Sequence, residues 1–331
     1  MKKVIYNTIM FLCIIGFVQG FAAIFGSENT LVGVTVLISM LMLMKEDFTK
    51  KPLENFMKLL FINVVSGIFA HISSQNIWIG LILNFITLSS IGYFLSFNLD
   101  KTLIVPFGLQ YLFLLYSPVS GGAFTNRIVG LISGTILIML VQFIIHRKNR
   151  NIKVKESELV YFEKEAEYYR EVKIFDKIYK IHSVRGAYAI RIGFAASITA
   201  FIVAYLNLEQ GRWMVYTIFS LMELYSENCK VRAKDRLQGT IIGALIIFIL
   251  FIFIKDNSLR GLIVLLAGYL DIYTTNYRDK MICVTMSVVA SVSLTNGTIT
   301  TIIERVGYVI IGIGIALLVN KFLLQSKIKE S

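Results

Sequence analysis

Arg127, Arg191, Arg236, Arg305, Glu223 and Asp271 all lie in or at the edge of strongly apolar stretches of this chain. Each arginine offers parallel N–H donors that match a carboxylate or a phosphate. A carboxylate near them offers a group that can take up a proton. Ionisable residues inside apolar spans are rare and mark ligand or proton pathways. The four arginines are therefore candidate ligands for an anionic solute, with Tyr216 as an aromatic neighbour able to stack on it. Glu223 and Asp271 are candidates for proton coupling. The competing reading is structural: Arg191 pairs with Glu223, and arginines at span ends reach back to lipid headgroups.

Other chemistry has little support. His71, His146 and His182 are scattered, and no His, Asp or Glu set has the spacing of metal ligands. Cys13, Cys229 and Cys283 are far apart and read as small core residues. Gly239-Thr240 and Gly243 resemble part of a phosphate loop, but no Lys-Ser/Thr pair follows. No cofactor, no metal and no enzymatic activity are expected.

The elements that must hold these charges are membrane helices. The chain is 56% hydrophobic and 16% charged, with a mean hydropathy of +0.70. Soluble domains carry about 25% charged residues. Apolar runs are expected to form helices over 4–25, 29–45, 54–73, 76–97, 102–118, 123–145, 186–206, 212–227, 235–254, 258–276, 280–295 and 300–323. The second, eighth and eleventh are short, so ten to twelve crossings are expected. The first run follows Lys2-Lys3 and has some features of a secretory signal peptide, but the second half offers a counterpart span at 186–206.

The net charge of +12 does not point to nucleic acid, because the basic residues fall in short loops between apolar runs. With the N-terminus inside, 28 of the 33 Lys and Arg residues lie on the inner side. That bias places both termini in the cytoplasm. The fold class is all-α: a polytopic membrane bundle of two parallel six-helix repeats. The units are 1–146, a first membrane repeat; 147–185, a cytoplasmic linker; 186–325, a second repeat; and 326–331, a tail. In the linker, Leu159, Phe162, Ala166, Tyr169, Ile174, Ile178 and Ile181 recur mostly at three- and four-residue steps, which predicts an amphipathic helix.

The repeat rests on matched residues. Asp100-Lys101 and Asp279-Lys280 each open an apolar run, followed by Arg127 with Gly130 and Gly134, and by Arg305 with Gly312. Arg236, Gly239 and Gly243 share the first spacing. These glycines form small-residue faces for close helix packing. Two-fold repeats are frequent in transporters, where the solute site lies between halves. Trp78 and Trp213 are expected at the membrane interface.

The stretch from Arg185-Gly-Ala-Tyr-Ala-Ile-Arg191 through Gly211-Arg212-Trp213 to Arg232-x3-Arg236-Leu-Gln-Gly239-Thr240-x2-Gly243 resembles the fusaric acid resistance family. The resemblance covers about 185–325. The first half departs from it, with Glu54-Asn55-x2-Lys58 and Ser66-Gly67 in place of the Arg-Gly-Thr motif. It implies an all-helical permease-like protein of a bacterial inner membrane that exports small organic acids, aromatic ones among them, without an ATPase of its own. The expected partners are membrane lipid, a small organic anion and further copies of the chain. The other class considered is a membrane scaffold or envelope-assembly partner that works through 147–185.

Overall fold

The computed structural model describes residues 2–44, 46–96, 99, 101–147, 169–174, 177–225 and 227–324. The first half contains α1 (Lys2–Phe25), a 3-10 turn (Ser27–Asn29), α2 (Thr30–Leu43), α3 (Pro52–Gln75), α4 (Ile77–Phe94), α5 (Ile104–Leu115) and α6 (Gly122–His146). A hairpin of β1 (Tyr169–Ile174) and β2 (Lys177–His182) follows. The second half contains α7 (Ser183–Tyr205), α8 (Arg212–Leu221), α9 (Asn228–Phe253), α10 (Asn257–Asp271), α11 (Tyr277–Asn296) and α12 (Thr298–Phe322).

Helices occupy all twelve predicted positions, and among the described residues they differ in whether length and composition suffice for a crossing. Seven are long and apolar enough to span: α1 from Val4, α3, α4, α6, α7, α9 and α12. Helices α2, α5, α8 and α10 have 14, 12, 10 and 15 residues, against the roughly 20 that a bilayer core requires. The eleventh helix was expected to be short and is not. It has 20 residues, but Arg278, Asp279 and Lys280 sit in its first turn. The fifth and tenth are short instead.

The end of α8 shows how a helix can stop among apolar neighbours. Its last turn leaves carbonyl groups that need donors. Lys101 Nζ donates to Ser220 O at 3.4 Å and to Met222 O. Arg191 Nη2 donates to Glu223 O at 3.1 Å and Leu224 O at 2.8 Å. Two cations from other elements thus take the place of the missing next turn.

Part of the linker is a correction. The residues 169–174 and 177–182 form an antiparallel hairpin, not an amphipathic helix, with Tyr169 opposite His182 and Glu171 opposite Lys180. The sequence Tyr-Arg-Glu-Val-Lys-Ile, then Lys-Ile-Tyr-Lys-Ile-His, is rich in β-branched and aromatic residues, and a strand accommodates their branching better than a helix does. Leu159, Phe162 and Ala166, like the tail 326–331, lie outside the described residues.

The halves meet along α4 and α7, where small residues let the backbones approach. A methyl group at Gly193 would collide with Ser89 Oγ, and one at Gly92 would lie 3.3 Å from the Ala189 backbone. A second junction joins α5 to α8, with the Phe113 and Tyr216 rings edge-on at 5.4 Å. A third joins α1 to α10, through Thr8 Oγ1 and the Tyr269 hydroxyl at 3.0 Å. The main core runs through both halves around Tyr111, Phe107, Ile192 and Phe219. A smaller one, with Ile247, Val289 and Ala267, lies between α9, α10 and α11.

Candidate functional site

The second half buries two guanidinium groups within electrostatic reach of each other. Arg236 on α9 is 5% exposed and Arg305 on α12 is 2% exposed. Arg236 lies within electrostatic reach of Arg305, as do the hydroxyls of Tyr277 and Tyr216. Arg236 Nη1 donates to Met281 Sδ at 2.7 Å and to the Tyr277 hydroxyl at 3.4 Å. Its Nη2 donates to Thr217 Oγ1 at 3.4 Å. Arg305 lies over the Trp213 ring, 5.1 Å from its centroid. The Nε groups of both arginines are buried without a hydrogen-bond partner, and among the described residues neither arginine forms an ion pair.

Close packing places this pair. Helix α8 carries Trp213, Tyr216 and Thr217 into the layer, and it lies tightly on α12, where a methyl at Gly312 would come 2.9 Å from Met214 O. Helix α9 approaches α11 in the same way. Methyl groups at Gly239 and Gly243 would come 2.6 Å from Arg278 O and 2.7 Å from Ile282 O. In the first half, Gly130 and Gly134 face Phe21 and Val36.

The chemistry follows from the charges. Two like charges in a poorly polarisable interior repel, and each is stripped of water. Trp213 offsets a little of this through its π-face. Three neutral partners offset some more for Arg236. A carboxylate between the two guanidiniums would satisfy the free N–H groups and cancel the repulsion. Tyr216 closes one side. Its ring meets Tyr116 edge-on at 5.8 Å as well as Phe113.

One layer away sits Glu223. Its Oε1 pairs with Lys101 Nζ at 3.2 Å and with Arg232 Nε at 2.9 Å. The Arg232 guanidinium lies 4.1 Å from the centroid of the Tyr277 ring. The Tyr277 hydroxyl reaches Ser220 Oγ at 3.2 Å and Arg236 at 3.4 Å. Contacts therefore run without a gap from Glu223 through Arg232 and Tyr277 to Arg236. Burial pushes the Lys101 ammonium below its ordinary value, and Glu223 opposes that push.

The remaining expected site residues are elsewhere. Arg191 is fully buried and bonds Asn320 Oδ1 at 2.8 Å besides the carbonyls that end α8. It touches the backbone of Glu223, while the carboxylate goes to Lys101 and Arg232. Arg127 binds Asn29 Oδ1 at 2.9 Å, Ser117 O at 2.8 Å and Glu28 O at 3.3 Å. Asp271 has Lys280 at 3.9 Å and Thr274 beside it. Trp78 is 63% exposed, as an interface residue would be, whereas Trp213 is 2% exposed and belongs to the site. Sequence reasoning did not single out Trp213, Thr217, Tyr277, Lys101 or Arg232 as site residues. A signal existed for one of them, since Arg232 is four residues before Arg236 and shares its helix face. Among the described residues, no three His, Cys, Asp or Glu side chains cluster as metal ligands would.

Comparison with known proteins finds a likeness in part of the chain only, within this half. Residues 197–319 match the family described as Fusaric acid resistance protein-like. The match includes α8, α9, α10 and α11, the last nine residues of α7 and most of α12. No curated protein and no solved structure matches the chain.

Proposed function

We propose that this chain, a multi-pass membrane protein with a fusaric acid resistance protein-like region at 197–319, is a secondary exporter of small organic acids, aromatic acids among them. The observation that carries the proposal is the pair Arg236 and Arg305, both buried and, among the described residues, without a carboxylate partner. The solute carboxylate lies between the two guanidiniums, and its ring packs against Trp213 and Tyr216. Glu223 responds to protons: when it takes one up, it loosens its hold on Arg232 and Lys101, and the change reaches Arg236 through Tyr277. Movement is driven by an ion gradient or by the solute gradient. The protein resides in a bacterial inner membrane with both termini in the cytoplasm.

Efflux of labelled benzoate from proteoliposomes tests this reading. Arg236→Gln and Arg305→Gln should each slow efflux at least tenfold in protein that elutes as the folded species. Unchanged efflux in both variants would remove the anion site. Glu223→Gln should flatten the pH dependence of efflux, and an unaltered profile would remove the proton role.

A further inference from the structure

Two cavities lie along α3, α4 and α5, the smaller of them shared with α7 and the loop after it. One, of about 760 Å3, is lined on α3 by Ser66 and Phe69, on α4 by Thr87 and Ile91, and on α5 by Phe107. The other, of about 520 Å3, is lined by Ser73 on α3, Gly80 and Asn84 on α4, and Leu115 on α5, with Tyr116 and part of α7 completing it. Both volumes fall in the range of ligand sites.

The register shows that they share one set of helix faces. Phe69 and Ser73 are four residues apart on α3. Thr87 and Asn84 are three apart on α4. Phe107, Tyr111 and Leu115 follow each other at four-residue steps on α5. Such residues lie on the same side of a helix. A single hydrogen-bonded layer stands between the cavities. The Tyr111 hydroxyl donates to Asn84 Oδ1 at 2.6 Å and lies 3.3 Å from Ser73 Oγ. Tyr111 is fully buried, with Asn84 4% and Ser73 6% exposed.

The two mouths differ in charge. Asn55 and Lys58 line the larger cavity, and Lys51 and Lys58 share one carboxylate, that of Glu54, at 3.4 and 2.6 Å. Among the residues lining the larger cavity, Lys58 carries the only charge. Glu209 and Asn207 line the smaller cavity, and no cationic side chain does. Between the mouths the larger cavity is almost wholly apolar, with five phenylalanines in its wall.

We propose that the two cavities are one solute path along α3, α4 and α5, closed in this structure by the Ser73–Tyr111–Asn84 layer. It admits small molecules with an apolar body and one anionic group, drawn in at the Lys58 mouth and released at the Glu209 mouth. Only the ligand's charge rests on the proposed function; the path does not require Arg236 or Arg305. The smaller cavity ends on Tyr116, whose ring touches Tyr216, so the path passes beside the arginine layer.

Cysteine labelling tests the path without measuring transport. The full chain is reconstituted with Cys13, Cys229 and Cys283 replaced by serine, and Ser73→Cys is exposed to a membrane-impermeant methanethiosulfonate reagent. With Tyr111 present, or with Tyr111→Phe, labelling should occur from the Glu209 side only. Tyr111→Ala should make the same cysteine react from the Lys58 side at least tenfold faster. Labelling that stays one-sided in folded Tyr111→Ala protein overturns the path. A second measurement keeps Tyr111 intact, so it does not depend on that variant folding. Benzoate added at the Lys58 side should slow labelling of Ser90→Cys, in the larger cavity, at least threefold. No protection at saturating benzoate overturns the ligand class. Failure of either arm with efflux still dependent on Arg305 would leave the anion site standing, and success of both with efflux indifferent to Arg305 would do the reverse.

Discussion

Arg127 and Arg305 hold similar places in the chain and live in opposite surroundings. Each lies near the start of a 25-residue helix, and each is almost completely buried, at 3% and 2% exposure. Arg127 gives its protons to one side-chain amide and two backbone carbonyls, which also tie α6 to the turn before α2. Arg305 has one aromatic face, a second arginine nearby and a buried Nε with no acceptor. A buried cation that the protein satisfies acts as a brace. A buried cation that it leaves less satisfied keeps donors that an anion could use, which is the basis of the proposed site.

The halves differ in the same sense. The buried polar groups of the first half are mostly neutral and mutually bonded. Gln110 Nε2 donates to Asn63 Oδ1 at 2.9 Å, and Asn63 Nδ2 donates to Thr135 Oγ1 at 2.7 Å. This network joins α5, α3 and α6 through groups that carry no charge. The second half buries Arg191, Arg236 and Arg305 instead. Arg191 is again a brace, and it shows that burial alone does not identify a site.

The contrast can be broken by substitution. Arg127→Ala should have the largest effect on stability, about 3 kcal/mol, because it removes a buried guanidinium that makes three hydrogen bonds, one of them to the buried Asn29 Oδ1. Thermal unfolding in detergent should show the loss while benzoate affinity in the surviving fold is kept. Glu223→Gln comes next, at about 1–2 kcal/mol, since Lys101 and Arg232 lose the carboxylate they share. Equal stability of wild type and variant would mean that this cluster does not hold the end of α8. Gln110→Leu should cost about 1 kcal/mol, in keeping with hydrogen bonds measured between membrane helices, and should leave efflux unaltered. A loss of efflux there would move the functional centre into the neutral half.

The smallest effect concerns Asp256. Its Oδ1 accepts from the backbone N–H groups of Ser258 at 2.7 Å and Leu259 at 3.0 Å, capping α10. These bonds hold the carboxyl below its ordinary value. A lowered carboxyl pKa means that the unfolded state binds more protons in the window between the folded and ordinary values. The cap's contribution is therefore complete above about pH 4 and fades as pH falls through the folded value. Asp256→Ala should lower Tm by no more than about 2 °C at neutral pH, and the difference from wild type should shrink in acid.

Much of this was legible in the residues. The twelve apolar runs placed twelve helices, because an apolar stretch bounded by turn residues has few alternatives in lipid. How many of them span was not legible. The lengths of α5 and α8 are set by partners distant in sequence, as when Lys101 meets Glu223 across 122 positions. Arg236 and Arg305 were recognisable by type, since a charge in an apolar helix stands out. That Arg127 is satisfied and Arg305 is not depends on Asn29 and Ser117, which turns bring back toward α6. Trp213 looked like an interface residue because it begins a helix. It is buried because α8 is short and packs against α12. The hairpin was missed because the four- and three-residue steps from Ile174 to Ile178 to Ile181 imitate helical spacing, while β-branching favours strands.

Titration of benzoate into the purified full-length protein, followed by calorimetry, tests the central claim most directly. Wild type and Arg127→Gln should bind with similar affinity, and Arg305→Gln should bind at least tenfold more weakly while losing no thermal stability. If Arg305→Gln binds benzoate as wild type does, or if Arg127→Gln alone weakens binding, the unsatisfied pair in the second half is not the anion site.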